Sequence, residues 1–260
     1  MSGVFDAIGL SIATEEEYDR LVEYVSANGE RTSIFRRGAY VHGRCLKLDS
    51  GLEIWATLYQ SGSEIFCTDC RPAFRSQHIS IIEPWELTEY DNQGGAVVSG
   101  LIKGTEVEAI FELQNLTEVG LSAFQNPSLN VSLAGLAYSA RCSLRHYRPR
   151  FVLTELVSKS YPACENDYTL RGKALGWRTI RNKLTGNELI SVYVDAVVVK
   201  LEVLVNKRDL KGELKMGATF SANIWLQGYV MDERAVEVYY EGVDRDATVG
   251  DFWAHLRREN

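Results

Sequence analysis

The sequence predicts a mainly β protein, a β-rich α+β chain of several short antiparallel sheets or barrels with one amphipathic helix near its start. Three observations carry that prediction. Short segments rich in β-branched and aromatic residues recur between turn-forming Gly, Asp, Asn and Ser. Only one stretch has an unambiguous helical period. The 260 residues, 45% apolar and 24% charged, suffice to bury a core and carry too little charge for a long disordered tail.

The helix is signalled at residues 15–27. Thr14-Glu15-Glu16-Glu17 has the form of a capping box, and three acids in the first turn complement the positive end of the helix dipole. Tyr18, Leu21, Val22 and Val25 follow the spacing of a buried helical stripe, and Asn28-Gly29 supplies the stop. Strands follow at Tyr40 to Leu48, Leu52 to Tyr59 and Glu64 to Cys67, separated by Asp49-Ser50-Gly51 and Ser61-Gly62-Ser63. Ser80 to Ile82 is a further short strand. The stretch from Glu83 to Gly95 combines Pro, acids and paired glycines and is expected to hold a boundary near residue 93.

Ala96 to Ile102 and Val107 to Leu113 flank Lys103-Gly104-Thr105 as another hairpin. Residues 116–126 fit a short helix or an irregular connection. Leu129, Val131 and Leu133 alternate as a strand, Ala134 to Tyr147 fits strand or helix, and Phe151 to Val157 is a strand. Tyr168 to Leu175, Arg178 to Asn182, Glu188 to Val194, Val197 to Val205 and Phe220 to Val230 follow. The tail offers a strand at Val236 to Tyr240 and a short capped helix from Thr248 to Arg258. This divides the chain into an N-terminal α+β module (1–93), a middle β module (94–160), a barrel (161–231) and a tail (232–260).

Five strands within residues 168–230, with Gly172 inside the first, resemble an OB-fold, the small Greek-key barrel that often binds oligonucleotides. The resemblance implies a single barrel module with a nucleic-acid-binding face. A weak echo of strand, turn and strand also follows Gly43, Gly100 and Gly172, as if one unit were repeated.

The net charge of -7 conceals a segregation. Residues 1–140 hold 9 Lys/Arg against 19 Asp/Glu, residues 141–215 hold 15 against 8, and residues 216–260 hold 4 against 8. A basic middle between acidic ends fits either an anionic-ligand face or internal docking of one module on another. No run approaches the roughly 20 apolar residues that span a bilayer, and the start lacks a basic segment before an apolar one, so neither membrane insertion nor secretion is expected. Five scattered cysteines in a chain of this size fit reduced thiols and a cytoplasmic location.

Cys67-Thr-Asp-Cys70 is the one metal-like motif, but neither Cys45, His42 nor His78 supplies a second ligand pair, and no metal or other cofactor is expected. Glu83, Glu86, Glu89 and Asp91, with Trp55 and Trp85 as sugar platforms, could serve a glycosidase, although acids in such a connection are usually just solvated. The four histidines lie far apart with no serine elbow, and no phosphate loop is present.

The basic stretches are the best functional lead. Arg145 and Arg148 lie in the run Arg141 to Arg150, which also holds Tyr147. Arg171 and Lys173 share one strand face, and Trp177, Arg178, Arg181 and Lys183 follow. Cations for phosphates beside rings for base stacking are what single-strand binding needs. On the last barrel strand Phe220, Ala222, Ile224, Leu226 and Gly228 alternate with a face that carries Trp225, an anchor for a partner if exposed and core if a second sheet covers it. The chain is therefore expected to be a non-enzymatic protein that binds another macromolecule, in the first place a protein. The alternatives are single-stranded nucleic-acid binding by residues 141–215 and an enzyme whose site assembles only in space.

Overall fold

A computed structural model describes residues 2–36, 39–61, 64–90, 94–154 and 166–231. The chain opens with a short helix α1 (Ser2–Asp6) and then α2 (Glu15–Asn28), where both hydrogen bonds of the predicted capping box form. Leu21 and Val25 of α2 are buried against the first sheet. That sheet is four antiparallel strands in sequence order: β1 (Glu30–Arg36), β2 (Ala39–Asp49), β3 (Leu52–Ser61) and β4 (Glu64–Phe74). The predicted Asp49-Ser50-Gly51 turn is present, with Ser50 and Gly51 both at positive φ as a tight hairpin requires.

All remaining strands among the described residues belong to one ten-stranded sheet, which answers a question the sequence leaves open. Its members are β5 (Ser80–Glu89), β6 (Ala96–Ile102), β7 (Glu108–Leu113), β8 (Leu129–Ser143), β9 (Arg150–Leu153), β10 (Asp167–Arg181), β11 (Glu188–Asp195), β12 (Lys200–Asn206), β13 (Leu210–Lys211) and β14 (Thr219–Val230). Pairing closes this sheet on itself twice. One circuit runs β8, β5, β6, β7, β14 and back to β8. The other runs β8, β12, β11, β10, β14 and back to β8.

The two circuits are built alike. Each takes three consecutive strands, a 3-10 turn (Leu121–Gln125 or Lys207–Asp209) and a long fourth strand. The two long strands, β8 and β14, pair along their length, and each closes the other's circuit. In both circuits the pair between the third strand and the borrowed strand is parallel, and every other pair is antiparallel. The repeated unit is thus residues 80–143 and 167–230. The glycine echo does not mark it: Gly100 lies on the second strand of one copy, Gly172 on the first strand of the other, and Gly43 in the separate sheet.

Alternation explains why the strand runs look almost wholly apolar. In β12, Leu201, Val203 and Val205 fill the barrel, while Leu204 on the outer face is buried under the N-terminal segment. Phe5, Ile8 and Ile12 lie against Leu189, Leu204 and Trp225 there. Asn182, Asn187 and Asn206 donate to the carbonyls of Ile8, Gly9 and Asp6, which satisfies polar groups that the covering would otherwise strand.

Several sequence expectations need correction. Tyr168 to Leu175 and Arg178 to Asn182 are one strand, β10, whose register shifts between Ala174 and Gly176, so the glycine and its neighbour form a bulge instead of a break. Residues 168–230 therefore supply four strands of a five-strand circuit, and the fifth is β8. The stretch around Pro84 is β5 itself, paired to β6 through Glu89, with Pro84 beside the irregularity between Pro84 and Glu86. Residues 134–143 are strand. The tail strand and helix lie outside the described residues, as does the end of the strand predicted at Phe151 to Val157.

The ribbon shared by both circuits is tightly packed. Gly228 pairs with Leu133 on one side and Leu113 on the other, and a Cβ there would overlap the ring of Phe111. Gly228→Ala should cost about 1–3 kcal/mol of unfolding free energy, and Phe111→Leu in the same chain should recover part of it. Urea unfolding of the three variants measures this; a single Gly228→Ala variant as stable as the parent would show that the ribbon has slack.

Candidate functional site

The geometry turns on a row that the sequence could not reveal. Arg150 on β9 is directly opposite Arg171 on β10, Arg171 opposite Ser221 on β14, Ser221 opposite Arg141 on β8, and Arg141 opposite Lys211 on β13. Directly paired residues project from the same face. Their neighbours Phe151, Leu170, Ala222 and Ala140 point into the core, so the row points outward. Five strands at roughly 4.8 Å spacing make it about 19 Å across.

Tyr147 lies with its ring 5.3 Å from the Arg171 guanidinium, and Lys173 continues the face two residues along β10. Beside the row run the uncharged Val152, Thr169, Asn223 and Ser139. Arg145 and Arg148 are exposed in the loop after β8. Among the described residues Arg141, Arg145, Arg148, Arg150 and Arg171 have no carboxylate partner. Two arginines facing each other across an antiparallel pair cost stability, which folding alone gives no reason to keep.

The other predicted residues are elsewhere. Trp225 is only 8% exposed and sits in the core between the N-terminal segment and the barrel, which removes it from any partner surface. Trp177 is half-buried against the barrel core. The Arg178 side chain, 11% exposed, ion-pairs with the fully buried Glu202 at 3.1 Å and cannot meet a ligand. Arg181 and Lys183 are exposed but pair with Glu188 and Asp49, each at 3.7 Å. The sequence misses Lys211 altogether and gives no weight to Arg141 and Arg150 individually. Strand parity places Arg171 and Lys173 together, but cross-strand register is set by partners tens of residues away.

Glu202 is the polar centre of the covered face. It accepts from Arg178, from the Ser191 hydroxyl at 3.0 Å and from the Gln77 amide at 2.8 Å. His78 stacks on Tyr193 with centroids 3.8 Å apart, and burial pushes its pKa down to about 4. A carboxylate, a hydroxyl and an imidazole converge here as in a catalytic site, yet Glu202 is sealed from solvent and its hydrogen bonds are committed to joining β10, β11, β12 and the Gln77 segment.

A second buried cluster joins the two sheets. Arg71 on β4 lies between Asp69, at 3.1 Å, and Glu112 on β7, and donates to the Leu113 carbonyl at 3.2 Å. Burial raises Glu112 to about 7 and moves Asp69 upward, the arginine only partly opposing it.

Cys67 and Cys70 both lie within β4; Cys67 is exposed and Cys70 buried. Among the described residues no three metal-ligating side chains come together. Trp55 is buried and donates its indole N–H to Glu53 at 2.9 Å, so it offers no sugar platform. Glu83 and Glu86 project outward from β5, and Asp91 lies outside the described residues.

A family model described as "Domain of unknown function, E. rectale Gene description (DUF3881)" matches residues 157–228, from before β10 into β14. It covers less than a third of the chain. No curated protein matches the chain.

Proposed function

We propose that this protein is a non-enzymatic cytoplasmic binding protein whose basic sheet face, β9–β10–β14–β8–β13, takes a single-stranded nucleic acid. The observation that carries the reading is the outward row Arg150, Arg171, Ser221, Arg141 and Lys211, with Tyr147 against Arg171. A backbone of phosphates needs closely spaced cations without competing carboxylates, and an adjacent exposed ring gives a base somewhere to stack. The closed second circuit supports the OB-type reading of residues 168–230, completed by β8. The face differs from the one such barrels usually offer. The outer side of the second and third strands, β11 and β12, lies under the N-terminal segment, so the ligand face moves to the first strand and the shared ribbon. The cytoplasmic placement rests on cysteines that stay free, Cys45, Cys67, Cys70 and Cys142.

The test is fluorescence anisotropy with a labelled oligothymidylate of about 12 nucleotides, titrated at several salt concentrations. Affinity should fall steeply with salt. The double variant Arg150→Ala/Arg171→Ala should weaken binding on the order of tenfold and flatten the logarithmic salt slope by about 1.4. Arg181→Ala/Lys183→Ala should change little. Salt-insensitive binding, or equal loss in both double variants, would defeat the assignment.

A further inference from the structure

The outer face of the first circuit is open toward the turn between β6 and β7. On β5–β6–β7 two cross-strand rows face outward, Glu83–Leu101–Glu108 and Glu86–Ser99–Ile110, with Trp85 at the irregularity of β5. Here Trp85 is 52% exposed, Ile81 is exposed, and Leu101 and Ile110 are partly exposed. Glu83, Glu86 and Glu108 have no cation partner among the described residues. Glu83 and Glu108 flank one leucine, about two strand spacings apart, where they repel within a Debye length.

A surface with this chemistry fits a partner that offers unpaired cations beside apolar side chains. The chain itself has one. Its basic face presents Arg141, Arg150 and Arg171, which have no carboxylate partner among the described residues, flanked by exposed Leu144 (67%), Tyr147 and Val152. We propose that the acidic, tryptophan-bearing face of one molecule docks on the basic face of a second copy. Trp85 supplies the apolar anchor and the three glutamates meet the arginine row. The two patches differ, so the contact is heterologous: each bound molecule leaves one acidic and one basic face free, and association continues head to tail unless the geometry closes a ring. The inference stands apart from nucleic-acid binding, although a polyanion on the same arginines would compete with assembly.

Sedimentation velocity on the full chain over a range of concentrations tests it. In low salt the weight-average mass should climb with concentration, and at ~0.5 M salt, where screening is within a few ångströms, it should return to that of a 29.2 kDa monomer. An acidic-face variant, Glu83→Ala/Trp85→Ala/Glu86→Ala, and a basic-face variant, Arg150→Ala/Arg171→Ala, should each be monomeric alone. Mixed, they retain one intact face each and should form a one-to-one complex that grows no further. All five side chains project outward, and circular dichroism checks that both variants fold. A parent that stays monomeric in low salt overturns the proposal. So does association that survives either variant, or a mixture that gives no complex.

Discussion

Replacing Arg178 with alanine should lower the unfolding free energy by about 3–5 kcal/mol, because it leaves Glu202 buried without its counter-charge. Glu202 has no solvent exposure, and its other partners, the Ser191 hydroxyl and the Gln77 amide, are neutral. Water cannot take the guanidinium's place without opening the cover made by the segment from Phe74 to His78. The damage should therefore fall where the Gln77 segment meets β10, β11 and β12. The joint replacement Arg178→Met/Glu202→Leu removes both charges and should restore most of the loss. Chemical unfolding of the single and double variants measures this. A single variant within about 1 kcal/mol of the parent would mean that water reaches Glu202 and that the pair does not hold the covering in place.

The second large effect concerns Arg71, buried between Asp69 and Glu112. Arg71→Ala strands two carboxyl groups in the contact between the sheets and should cost a similar 3–5 kcal/mol at neutral pH. The same cluster gives stability a pH dependence of definite sign. Burial raises Glu112 to about 7 in the folded protein, well above an ordinary carboxyl group, so between about pH 4.5 and 7 the native state binds more protons than the unfolded chain. The contribution is fully present below that window and is lost as pH rises through it, with Asp69 acting in the same direction. The fall should be of order 3 kcal/mol. Glu112→Gln keeps an acceptor for Arg71 and should flatten the profile. Urea midpoints at about pH 5 and pH 7.5 make the comparison. A parent whose stability rises across that interval, or a Gln variant with the same profile, would rule the cluster out as the cause.

These contacts also mark what could be read in the linear chain. The capping box at Thr14 and Glu17 and the turn at Ser50-Gly51 are local: the atoms that decide them are a few residues apart, so residue type and spacing suffice. The alternation of Leu201, Val203 and Val205 likewise assigns a strand, because period 2 is a property of the strand itself. Trp225 shows the limit. Its parity opposite Ile224 was legible, but whether the outer face meets water or α1 depends on a segment over 200 residues earlier. Pro84 and Gly176 are read as interruptions on propensity alone, and neighbouring strands override that by accepting a bulge.

By itself the sequence determined the β-rich class, the first long helix, most strand centres and the concentration of positive charge in residues 141–215. Only the tertiary structure decided that β8 and β14 close two circuits, that Arg178 is spent on Glu202, and that Arg141, Arg150, Arg171 and Lys211 form one row. Side-chain direction within a strand is set by its own backbone, whereas register between strands is set by which distant segments pair. That pairing is a property of the whole core.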